Sequence, residues 1–161
     1  MKQLLLLTPA LLLSTLACLD SVQAQSAPAT LLCSYGDVDL ATNAKLGHVA
    51  EAGWGYGGLA QAQAPFVADG DGLESARITV QLKGTRFEAL AHRQLDENGQ
   101  TVKYDSSLAI VDVKSRRAAR GQGEHPPSAL TQLTRVITAK LTNRREDASK
   151  GLLLDCTALE N

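Results

Sequence analysis

The feature that most constrains this chain is a pair of cysteines, Cys33 and Cys156, set near opposite ends of what remains once a leader is removed. Lys2 precedes an apolar run from Leu4 to Leu16, and Val22-Gln23-Ala24 has the small-x-small form that signal peptidase cuts. Residues 1–24 therefore read as a secretory signal peptide, with an apolar run too short for a stable membrane span. Residues 25–161 read as one exported, periplasmic domain with no integral membrane segment. Cys18 leaves with the leader. In Thr15-Leu16-Ala17-Cys18 a small residue precedes the cysteine, which gives a rival reading as a lipoprotein site. Thr15, however, stands where such a site carries an aliphatic residue, and on either reading Cys18 is unavailable for pairing. An oxidising compartment then makes Cys33–Cys156 a disulfide. Closing nearly the whole domain, it is worth about 4–5 kcal/mol in the chain-entropy model. That is a large share of the roughly 5–15 kcal/mol that holds a domain folded.

Charge excludes some partners. Sixteen Lys and Arg against seventeen Asp and Glu give a formal net charge of −1, which argues against general binding to nucleic acid or anionic membranes. The distribution is uneven. From Gln25 to Glu74 the only base is Lys45, against Asp37, Asp39, Glu51, Asp69, Asp71 and Glu74. Beyond that point Arg116, Arg117 and Arg120 bunch together, and Arg144-Arg145 forms a second pair. Such asymmetry can steer a charged partner, although two oppositely charged surfaces within one solvated fold explain it more simply. Aromatics are few, so the core must be built mostly from Leu, Val, Ile and Ala.

Periodicity points to antiparallel β-structure. Thr30 to Leu40 alternates, with Leu31, Cys33 and Tyr35 on one face. Arg77 to Lys83 places Ile78, Val80 and Leu82 on one face, and Gly84 punctuates it. Arg86 to Leu95 is the next strand, and Asp96-Glu97-Asn98-Gly99 supplies a hairpin turn. Thr101 to Lys114 follows as a long strand with a polar step at Asp105-Ser106-Ser107, where a break, bulge or projection is expected. Arg116 to Pro127 reads as a polar connection. Ser128 to Leu141 mixes a helical stripe with β-favouring threonines, which suggests a helical turn after Pro127 running into a strand from Leu133. Gly151 to Leu159 closes the domain as a strand carrying Cys156. The expected fold is mainly β, an antiparallel sandwich or small barrel with at most one short helix and its terminal strands joined by the disulfide.

Chemistry is harder to find. His48, His92 and His125 do not stand at metal-ligand spacing, and both mature cysteines are committed, so no metal or cofactor is expected. No Gly-x-Ser-x-Gly elbow is present, although a Ser-His-Asp triad can always assemble from distant residues. Asp69-Gly70-Asp71-Gly72-Leu73-Glu74 has the oxygen density of a calcium loop but the wrong register for an EF-hand, and reads better as an Asx-stabilised turn. Trp54 and Tyr56, in the glycine-rich ribbon Gly53 to Gly58, are candidate interface anchors. Tyr104, Asp105, Ser106 and Ser107 are the most suggestive segment, because small hydroxyls on a projection can enter another protein's active site. Arg116 and Arg117 add a basic secondary surface.

With its leader, its size, its mostly β reading and the Ser106-Ser107 step beside a strand, the chain resembles the periplasmic immunity proteins that neutralise type VI-secreted peptidoglycan amidases. The resemblance implies a protein inhibitor rather than an enzyme, with adjacent serines on a loop that occludes a Cys-His active site. It implies a peptidoglycan hydrolase as partner. Periplasmic lysozyme inhibitors are similar in type. The alternative class is a small-ligand carrier or envelope enzyme that uses a barrel cavity lined by His92 or by Trp54 and Tyr56.

Overall fold

The computed structural model describes residues 28–40, 59–139 and 150–160. The leader, His48, the Gly53–Gly58 ribbon with Trp54 and Tyr56, and Arg144-Arg145 lie outside the described residues. No helix among the described residues is long and apolar enough to cross a membrane.

The described chain forms ten strands in two antiparallel sheets. Sheet A holds β1 (Ala29–Asp39), β2 (Leu59–Pro65), β8 (Leu130–Gln132), β9 (Val136–Ala139) and β10 (Lys150–Glu160). Its order is β2-β1-β10-β8, with β9 also paired to β10. Sheet B is the run β3 (Val67–Ala68), β4 (Leu73–Leu82), β5 (Thr85–Leu95), β6 (Thr101–Asp112) and β7 (Ala118–His125), in that order. The sheets are not closed into a barrel, so the fold is a sandwich. One continuous stretch passes between them, since only Phe66 separates β2 in sheet A from β3 in sheet B. Phe66 is buried, and its N–H donates to the carbonyl of Ala29 at 3.0 Å.

The terminal strands are neighbours. β1 and β10 pair along their whole length, Ala29 opposite Glu160 and Asp39 opposite Lys150. In that register Cys33 faces Cys156, and the two form the disulfide across 123 residues of sequence with Cα atoms 4.1 Å apart. β10 reads Gly-Leu-Leu-Leu-Asp-Cys, an apolar run with hardly any alternation, and residues 151–156 are all buried. Such a run belongs to a strand covered on both faces. Leu152 and Leu154 enter the core while Leu153, which the period of two turns to the other face, is also fully buried. Part of that cover comes from the chain end of β1, where Leu40 packs directly on Gly151.

The core lies between the sheets and is lean in aromatics, as composition requires. Leu31, Cys33, Leu154, Cys156 and Ala158 of sheet A meet Ile78, Phe87, Ala89, Ala91, Leu108 and Ile110 of sheet B. Tyr35 and Phe87 tilt against each other at 5.2 Å between ring centres, and Phe66 meets Tyr104 edge-on at 5.7 Å.

Three expectations need correction. The β6 ladder runs unbroken through Asp105, Ser106 and Ser107, and the one irregularity against β5 falls between Gln94 and Leu95 at the Asn-Gly turn. Arg116–Pro127 contains β7 rather than a plain connection. Its alternation is of small and polar residues, Ala-Ala-Arg-Gly-Gln-Gly-Glu-His, so no apolar face announces it. Finally, Leu130–Gln132 is a short strand and not part of a helical turn. Ser128 instead makes a local hydroxyl motif, its N–H donating to Thr131 Oγ1 at 2.9 Å, which competes with helix formation.

Candidate functional site

Three places concentrate polar chemistry. The first is a buried charged cluster that spans the sheets at the Ala29–Glu160 end. Alternation puts Glu74, Arg93 and Tyr104 on the inner face of sheet B and Glu160 on the inner edge of sheet A. Arg93 is 1% exposed, and its Nε and Nη2 donate to Glu74 Oε2 at 2.7 and 2.6 Å. Its Nη1 lies 4.0 Å from Glu160 Oε1, and its guanidinium sits 5.7 Å from the centre of the Phe66 ring. The Tyr104 hydroxyl donates to Glu160 Oε1 at 2.7 Å. Burial, reinforced by that bond to a carboxylate, pushes the Tyr104 phenol up to about 12. The cluster fastens the two sheets together.

The second place is where β7 meets the segment between β8 and β9. Ser106 Oγ lies 3.0 Å from His125 Nε2, and Thr134 Oγ1 lies 3.2 Å from the same nitrogen. The Thr134 N–H donates to Ser106 Oγ at 3.4 Å. Glycines make the approach possible. A Cβ at Gly123 would stand 2.6 Å from Thr134 Oγ1, and one at Gly121 would stand 2.8 Å from Thr134 Cγ2. A serine oxygen this close to an imidazole nitrogen has the spacing of an activated nucleophile. Here, though, Ser106 is 5% exposed and Thr134 shares the nitrogen. Among the described residues no carboxylate bonds the ring to orient it. The arrangement is a polar clasp that holds the edge of sheet B against sheet A.

The third place is the outer face of sheet B, which no described strand covers. Its cross-strand rows follow from the registers: Arg77, Leu90, Ser107 and Gln122 in one, Thr79, Glu88, Ala109 and Arg120 in the next. Small residues at Ser107 and Ala109 leave a shallow open concavity of about 230 Å³, walled by Arg77, Thr79, Glu88 and Leu90. Arg86 pairs with Glu88 at 2.5 Å. A row further along, His92 faces Asp105, and its Nδ1 is buried without a hydrogen-bond partner. Lys103 reaches Asp105 at 3.3 Å and Glu124 at 3.7 Å, and the Asp105 bond holds its ammonium above the ordinary lysine range.

The structure thus divides the segment singled out in the sequence. Tyr104 and Ser106 point inward and are buried, while Asp105 and Ser107 lie on the outer face. Arg116 and Arg117 occupy the tight β6–β7 turn, away from the concavity. Asp112 shapes that turn: it accepts from the Ser115 N–H at 2.5 Å, a bond that holds its carboxyl below the usual range. Arg116 there takes a positive φ of 59°. Asp69–Glu74 forms a turn, closed by backbone bonds from Leu73 N–H to the Gly70 carbonyl at 2.9 Å and from Asp69 N–H to the Leu73 carbonyl at 2.8 Å. Glu74 turns inward to Arg93, and no group of three or more potential ligands is assembled among the described residues. The Arg93 cluster and the His125 clasp were not foreseen. An arginine at an inward position of a strand was a usable signal for the first, and Gly121 and Gly123 at alternate positions for the second.

No family model, curated protein or solved structure matches the chain. The likeness to immunity proteins therefore rests on the residues that suggested it.

Proposed function

We propose that the chain is an exported, periplasmic protein inhibitor of the immunity type, which blocks a cell-wall-degrading enzyme by covering its active-site cleft with the outer face of sheet B. The observation that carries this reading is the hollow around Ser107, the one member of the Ser-Ser step that reaches solvent, walled by Arg77, Glu88 and Leu90. Insertion of a projecting loop needs both serines on a protrusion, and they lie within a strand. A flat polar face with a central hollow instead seats the raised rim of a cleft. Rigidity supports the same reading: a disulfide, a buried ion pair and a polar clasp fix the face beforehand, which lowers the entropy cost of binding.

The test uses the disulfide-intact chain and Ser107→Arg, a change at an exposed position that leaves the fold intact. Both are added to envelope hydrolases acting on dye-labelled peptidoglycan. The unmodified chain should suppress dye release, and Ser107→Arg should weaken suppression by tenfold or more, on the order of 1.4 kcal/mol. Undiminished suppression by the folded variant removes this face from contention. No suppression by either protein sinks the inhibitor reading, and the cleaved bond identifies the target as an amidase or a lysozyme-type glycosidase.

A further inference from the structure

The outer edge of sheet B differs from the other sheet edges. β3 covers β4 over two registered pairs only, Val67 with Ser75 and Ala68 with Glu74. From Ala76 to Leu82 no described strand pairs with the outer side of β4, where alternate residues turn their N–H and C=O groups away from β5. The remaining edges are blunted in ways that oppose pairing. β7 is held by the His125 clasp, β8 and β9 are three and four residues long, and β2 is alanine-rich and ends in Pro65. β4 has none of these devices. Its sequence Ala-Arg-Ile-Thr-Val-Gln-Leu is strongly β-forming, without proline, inward charge or bulge.

We propose that this edge pairs with the same edge of a second copy of the chain, antiparallel about a two-fold axis at Thr79. The register is self-complementary. Thr79 meets Thr79 of the second copy, a favourable cross-strand pair, while Arg77 meets Gln81 and no like charges oppose. On the inner side Ile78 meets Val80 and Ala76 meets Leu82, so Val80 and Leu82, only half-buried in one copy, gain apolar neighbours. A pairing of this length forms roughly six to eight backbone hydrogen bonds. The strand's own pattern supplies an apolar partner at every inward position and opposes no like charges at any outward one. The axis stands perpendicular to the sheet, so both Ser107 hollows come to the same side. With strands about 4.8 Å apart the two β6 strands lie roughly 24 Å from each other. The dimer is therefore bivalent, whatever the hollow binds.

The experiment measures the mass of the disulfide-intact chain in solution by light scattering, with Thr79→Lys and Thr79→Glu alongside. Thr79 is exposed, so both variants keep the fold, and circular dichroism checks it. The expected result is a dimer for the unmodified chain, a monomer for each variant alone, and a dimer when the two variants are mixed, since Lys then faces Glu across the axis. A monomer at every attainable concentration of the unmodified chain overturns the proposal. So does a dimer that survives in either variant alone, because pairing would then lie elsewhere.

Discussion

In sheet B each strand from β4 to β7 pairs with the next in the chain, whereas sheet A is closed by pairing β1 with β10, the two most distant strands described. Local hairpins are closed by short turns, at Lys83-Gly84, Asp96–Gly99 and Val113–Arg117, where positive φ falls on Lys83, Gly84, Gly99 and Arg116. The long-range pairing has no turn to set it and carries the disulfide instead. Covering differs too. Sheet B keeps a polar outer face, while β10 is buried on both. A staple is placed where loop closure costs most chain entropy, and sequence-local strands do without one.

The largest expected effect comes from breaking the covalent half of this contrast. Reduction, or Cys33→Ala with Cys156→Ala, should lower stability by about 4–5 kcal/mol. Amide exchange should quicken first in β1 and β10, with β5 and β6 protected longest. Equal loss of protection in both sheets would show that they stand or fall as one unit.

Next is the link between the sheets. Arg93→Met removes the two guanidinium bonds to the buried Glu74 carboxylate and should cost about 3–5 kcal/mol by chemical denaturation. A cost under about 1 kcal/mol would mean that water or other groups around Glu74 take over once the guanidinium is gone.

The smallest is a titration of that link. Tyr104 has its folded-state pKa raised to about 12 by burial and by its bond to Glu160, against about 10 unfolded. Its contribution is therefore fully present below about pH 10 and is lost as pH rises towards 12. Tyr104→Phe should flatten the alkaline fall in melting temperature over that window. An unchanged slope would assign the fall to other groups.

How much could be read from the chain follows the same division. β4, β5, β6, their turns and the Cys33–Cys156 bond were all legible, because alternation, Asn-Gly and an even cysteine pair act locally or by counting. β7 was not, since the glycines that let Thr134 approach also erase the apolar periodicity. The segment around Leu130 was misread because Leu130, Leu133, Val136 and Ile137 fall at helical spacing, while the hydroxyls of Thr131 and Thr134 between them are committed to Ser128 and His125. Ser107 was picked out for its polarity in a β-forming run, which is correct as far as exposure goes. Its neighbour Ser106 owes the same polarity to an internal bond that only the sheet register reveals.

The pairing of first strand with last also fixes an order in time. Cys33 leaves the ribosome 123 residues ahead of Cys156, a delay of roughly 6–25 s at ordinary synthesis rates. Before the last strand arrives β2 can already pair with β1 and, once His125 is made, sheet B can assemble, while Cys33 still waits with a reactive thiol. A cell that makes this protein must shelter that thiol from other partners until the final strand arrives.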